Sequence, residues 1–239
     1  MSNYLCLVLL FSHLGSLAQG FFNQAEKQFE AGNYKDARIL FQKHLEFEPN
    51  HLKTREYLGD IEAHLGNWDT AIPIYSALSN NFPDNAEYHY KYGGAMGMKA
   101  SDNRWYALMN YSRIRQEFEE AIRLNPNHID AHWALVEYNL QLPFILGGGE
   151  EKARFFAKQL SKISKVDGYL ALGKIAEFYH HYSEAEKAYV KANNIGQSVH
   201  TFRTLVKYYK RQNQNKKADA VSKEAERKFG SGFAEGNNI

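Results

Sequence analysis

Ten histidines and a run of three glycines are the features of this 239-residue sequence that first invite a reading as chemistry. His128 and His132 stand four apart, the spacing that puts two imidazoles on one helix face, as a zinc site requires. Yet the His-Glu-x-x-His order is missing, no third ligand is indicated, and His128 falls in the turn after Pro126. His180 and His181 are adjacent in the turn before Tyr182; consecutive residues cannot share a helix face, so solvent exposure is their expected role. Gly147-Gly148-Gly149 has neither the Gly-Lys-Ser/Thr nor the preceding strand of a phosphate loop and reads as a flexible turn between helices. No Ser, His and Asp group into a triad by spacing, since such residues meet only in the fold. The expectation is therefore no catalytic, cofactor-binding or metal residue and no cofactor, with a metal-dependent enzyme around His128 and His132 as a minor alternative.

The elements that carry these residues are helices. Leu, Ala, Glu and Lys fill long stretches that only five prolines interrupt, and 44% hydrophobic residues support a buried core. Aromatics make up 14%, with 16 Tyr and 15 Phe that need places to pack. Lys plus Arg is 29 against 27 for Asp plus Glu, a formal charge of +2 that gives no field suited to nucleic acid. The first 18 residues differ from the rest. Tyr4 to Phe11 is almost wholly apolar, no charged side chain precedes Glu26, and Ser16-Leu17-Ala18 offers small residues for a signal peptidase. Residues 1–18 read as a signal peptide cleaved before Gln19, too short to span a bilayer, and no other transmembrane candidate is found. The single cysteine, Cys6, lies inside that leader, so a periplasmic or secreted mature chain would have no disulfide or thiolate site.

A period of 34 organises the chain beyond the leader. Gly32-Asn33-Tyr34, Ala37, Phe41 and Pro49 recur as Gly66-Asn67-Trp68, Ala71, Tyr75 and Pro83. Each residue type has a physical reason. Gly closes the first helix in a left-handed cap, Asn caps the second, Ala lets two helix backbones approach, and Pro ends the second helix. The layout returns at Leu172-Gly173, Tyr182, Ala185, Tyr189 and Ala192, and more loosely at Leu205, Tyr209, Ala218 and Ala225, with Asn213 where Gly is expected. The middle is stretched. Pro83 and Pro126 lie 43 apart, the extra nine residues falling around Lys99 to Tyr106. Pro73 sits inside an expected helix and predicts a local kink.

This pattern resembles the tetratricopeptide repeat family. The turn from Gln141 to Gly149, followed by Glu150-Glu151-Lys152-Ala153, is similar to one in an uncharacterised bacterial envelope or secreted branch of it. The resemblance implies an all-α, right-handed α-solenoid of about six helix-turn-helix units at about 21–51, 52–85, 86–128, 129–165, 166–198 and 199–229, within a solenoid of 19–230 and before a flexible tail of 231–239. It also implies that a protein or peptide partner lies along a concave wall lined by the first helix of each pair, with no nucleic acid and no enzyme activity. In this register Phe22, Glu56, Tyr90, Trp133, Leu170 and Arg203 face the groove, joined by Lys207. Glu26, Asp60, Glu137, Lys174 and Glu177 flank them, and Lys210 and Arg211 make the groove acidic early and basic late. A shift of one residue caused by the insertion would instead turn Trp133 into the core. The alternative role is a self-assembling structural repeat.

Overall fold

The computed structural model describes residues 2–230 and Phe233, with side chains from Gly15 onward. The described residues form twelve α-helices, and the turns between them show why the helices stop where they do. After α1 (Ser2–Glu30) and α3 (Leu52–His64), Gly32 and Gly66 adopt φ of 76° and 72°. This left-handed residue lets Asn33 N–H reach Gln28 O at 2.8 Å and Asn67 N–H reach Glu62 O at 2.8 Å, satisfying carbonyls that the helix end leaves orphaned. The chain then re-enters a helix at once, as α2 (Tyr34–Phe47) and α4 (Trp68–Asn81), which continues through Pro73.

Asn33 and Asn67 do not cap those helices with their side chains as expected. Their amides turn back onto the preceding helix, to Gln28 Oε1 at 2.8 Å and Glu62 Oε2 at 2.7 Å. The same left-handed turn recurs without glycine at His180 (φ 61°) and Asn213 (φ 56°), where His181 N–H reaches Ala176 O and Gln214 N–H reaches Tyr209 O. The inserted residues of the third pair lengthen its helices into α5 (Ala86–Asp102) and α6 (Arg104–Leu124), which turn tightly at Asn103. Asn103 Oδ1 accepts Tyr106 N–H at 2.9 Å and so starts α6.

Two compact units result, one of residues 1–124 and one of 125–239. In the first, α1 to α6 pack each against the next in sequence. In the second, α7 (Ile129–Gln141), α8 (Glu150–Ile163), α9 (Lys165–Phe178), α10 (Tyr182–Gly196), α11 (Val199–Arg211) and α12 (Asn215–Phe229) do the same, and α7 also meets α9. The fold class is the all-α helical-repeat solenoid.

In three of the pairs, α3–α4, α5–α6 and α9–α10, the contact follows one rule. The small residue of the first helix receives an aromatic ring from the second: Gly59 faces Tyr75, Gly93 faces Phe118, and Gly173 faces Tyr189. Ala37, Ala71, Ala153, Ala185 and Ala218 are buried on the second helices, where small side chains let backbones come close. α1 runs unbroken through the expected cleavage point after Ala18, which is buried. Of the tail expected at 231–239, Phe233 is described and is buried with Phe202, Val206 and Tyr209 in a core cluster; the others lie outside the described residues.

Candidate functional site

The first helices of successive pairs are laced together by polar side chains. In the first unit Tyr57 Oη–H donates to Glu26 at 2.9 Å, Tyr88 Oη–H donates to Glu56, and Lys91 Nζ donates to both oxygens of Asp60 at 2.7 and 2.9 Å. In the second, Trp133 Nε1–H donates to Asp167 at 3.0 Å, Lys174 pairs with Glu137, and the Arg211 guanidinium holds Glu177 by two bonds of 2.7 and 2.8 Å. Tyr75 and Tyr189 add a hydroxyl to Asp60 and Glu177 at 2.7 and 3.0 Å. Burial and these carboxylates push both phenols well above their usual range. Burial opposes the ionised form of Glu177, but the bonds from Arg211 and Tyr189 outweigh it and leave its carboxyl below the ordinary value. Of the charges expected to await a partner, Asp60, Glu137, Lys174, Glu177 and Arg211 are therefore already paired between neighbouring helices.

A tetratricopeptide repeat family model matches residues 28–93, the stretch holding the Gly32 and Gly66 turns. Solved structures extend the likeness over most of the chain. A thermophilic tetratricopeptide repeat protein of Thermus thermophilus superposes with a TM-score of 0.63 at 19% identity, covering 81% of this chain and 97% of that one. The chain has the fold of tetratricopeptide repeat proteins. A tetratricopeptide repeat protein of Parabacteroides merdae gives 0.61 at 13%, covering 87% and 78%, and pilF of Pseudomonas aeruginosa gives 0.58 at 16%, covering 92% and 95%. No curated protein matches the sequence. At these identities the structures report the shared fold.

The tetratricopeptide repeat geometry redistributes the residues expected in the groove. Phe22 is half-buried, its ring within 5.1 to 6.1 Å of the rings of Phe41, His44, His51 and Tyr57, so it packs helices together. Leu170 is 4% exposed and belongs to the core with Tyr189, Phe202 and Val206, which corrects its assignment to the groove. Trp133 is half-buried against the clusters around α9 and fixed by Asp167, and Tyr90 leans on Phe118 with centroids 6.2 Å apart. Glu56 is held by Lys53 at 2.9 Å as well as by Tyr88. Arg203 lies over the Phe233 ring at 5.7 Å, and Lys207 is exposed. Phe22, Glu56 and Tyr90 fall in the first unit; Trp133, Leu170, Arg203 and Lys207 fall in the second.

Large apolar side chains stand exposed in two places that differ from the repeat pattern. On the lengthened α5–α6 hairpin, Trp105 is 78% and Met109 80% exposed, beside exposed Met98 and Leu108. Between α7 and α8, Phe144 and Ile145 are each 89% exposed on a 3-10 turn. Its three glycines meet specific demands of the backbone. Gly147 and Gly149 take φ of 89° and 116°, and a Cβ on Gly148 would lie 2.0 Å from Leu142 O. Gly149 N–H reaches Asn139 O at 2.8 Å and Lys152 Nζ reaches Gly147 O at 2.6 Å.

The histidines also settle into roles. His128 is the N-cap of α7, accepting Ala131 N–H at 3.2 Å on Nδ1, and His132 donates from Nε2 to Pro126 O at 3.1 Å. Among the described residues the donor cluster that does form is elsewhere: one ligand atom from each of His44, Glu48 and His51 lies within 4.8 Å of the others. The sequence signal is His-x-x-x-Glu-x-x-His, running from the end of α2 into the first residue before α3, and it is visible only once the helix boundary is known.

Proposed function

We propose that this chain is a non-catalytic scaffold that holds a protein or peptide partner in the bacterial cell envelope, anchored at the tip of the α5–α6 hairpin. One observation carries the site: Trp105 and Met109, four residues apart and so on one face of α6, present their side chains to solvent on helices longer than the repeat requires. Binding energy concentrates in a few such aromatic side chains, and methionine adapts to varied partner surfaces. The apolar stretch before Gln19 supports export.

Photo-crosslinking from position 105 in cells, followed by identification of the attached chain, tests the site directly. Trp105→Ala with Met109→Ala should weaken partner capture at least tenfold while helix content stays unchanged, since one hot spot is worth about 2 kcal/mol or more. Full capture by that folded double variant would sink the assignment. Light scattering distinguishes a partner in trans from a second copy of the chain, and mass spectrometry of the exported protein reads whether it starts at Gln19.

A further inference from the structure

We propose that His44, Glu48 and His51 form a binding site for one divalent transition-metal ion of the zinc class, clamping the end of α2 to the start of α3. The three ligand atoms already lie within 4.8 Å of one another, and His44 Nε2 faces Glu48 Oε2 at 3.9 Å. Tetrahedral zinc, at about 2.0 to 2.2 Å from nitrogen and oxygen donors, holds neighbouring donors about 3.4 Å apart. The closing movement falls on the side chains free to make it. His44 is buried, His51 is half-buried and Glu48 is exposed at the site's open side.

The surroundings prepare His44 as a ligand. Thr54, fully buried, sets its hydroxyl 2.9 Å from His44 Nδ1 and 2.8 Å from His51 Nδ1. His51 Nδ1 also accepts Thr54 N–H at 3.2 Å as the N-cap of α3, so in the metal-free state it is an acceptor and takes the hydroxyl proton. The Thr54 oxygen then accepts from His44 Nδ1–H. That leaves His44 Nε2 with its lone pair toward Glu48, and two acceptors face each other across a gap that a cation fills. A ligating histidine ordinarily has its other nitrogen held in this way. Phe22 packs on both rings, with centroids 5.2 and 5.1 Å away, and limits their rotation. Two imidazoles and one carboxylate suit zinc, cobalt or nickel better than calcium or magnesium, which take oxygen donors.

The test uses full-length, tag-free protein stripped with chelator and titrated with Zn²⁺ by calorimetry and with Co²⁺ by visible absorption. Expected are one equivalent of metal per chain and a rise in melting temperature with Zn²⁺. Glu48→Gln and His51→Asn should each weaken binding at least tenfold; Asn still accepts the Thr54 N–H, so the cap and the helical circular dichroism are retained. Absence of saturable binding overturns the site, and so does a stoichiometric site that survives unchanged in the Glu48→Gln, His51→Asn double variant.

Discussion

Burial of His132 holds its imidazole below the ordinary histidine value of 6.5; the bond it donates to Pro126 O works the other way, and nearby His128 lowers it further. Its Nδ1 is buried with no hydrogen-bond partner, so a second proton there would sit on an unsatisfied donor. The unfolded chain takes up that proton first. Stability from His132 is therefore complete above the unfolded value, is lost as the pH falls below it, and stops falling once the folded value is passed. His132→Gln can still donate to Pro126 but cannot titrate. Urea melts should show a smaller loss of stability for the variant than for wild type between about pH 7.5 and about pH 5.5. An equal loss in both proteins would place the acid sensitivity elsewhere.

Between elements, the glycine-against-ring contact makes a sharper prediction. A Cβ on Gly173 would lie 2.8 Å from the Tyr189 ring, which is buried and tied to Glu177. Glycine to alanine inside a helix normally gains about 0.5 to 1 kcal/mol, whereas overpacking costs about 1 to 3 kcal/mol. Gly173→Ala should accordingly lose about 1 to 2 kcal/mol in denaturant melts. Gly94→Ala, where nothing lies within 4 Å of the new carbon, should be neutral or stabilising. The pairing that sets this contact was legible in the sequence, because Leu58-Gly59 with Tyr75 and Leu172-Gly173 with Tyr189 repeat one spacing. Other turns were less legible. His180 and Asn213 occupy the left-handed position that Gly32 and Gly66 advertise, and a residue type without that preference carries no signal. The insertion near Lys99 to Tyr106 reads as irregular, yet it extends two helices, since a nine-residue addition can be absorbed wherever helix propensity continues. Groove residues were the least legible. Whether Leu170 or Trp133 points inward depends on a rotation of one residue, about 100° around the helix, and spacing alone does not resolve that.

At the scale of the whole molecule, repeat stacks gain stability from contacts between neighbours, so a segment holding complete neighbours should fold alone. Residues 125–239 meet that condition. Their clusters join Val136, Leu140, Ala153, Ala157, Leu160, Ala171 and Ile175 in one group and Tyr189, Phe202, Val206, Tyr208 and Phe233 in another, with Trp133 packed on both. Polar links run the length of the unit, from Glu137–Lys174 and Arg154–Glu184 to Glu177–Arg211 and Glu186–Lys217. Exposed ion pairs of this kind contribute little individually, and the apolar clusters carry the fold. A fragment of residues 125–239 should therefore be helical by circular dichroism and melt in one cooperative transition. Ending it at Gly230 removes Phe233, whose ring is buried against α11 beneath Arg203, and loss of a buried phenylalanine costs about 3 to 5 kcal/mol. The fragment 125–230 should melt at a lower temperature than 125–239. If the longer fragment is unfolded, the second unit does not hold a sufficient core. If the two fragments melt together, Phe233 is a surface residue in solution and the helical stack ends with α12.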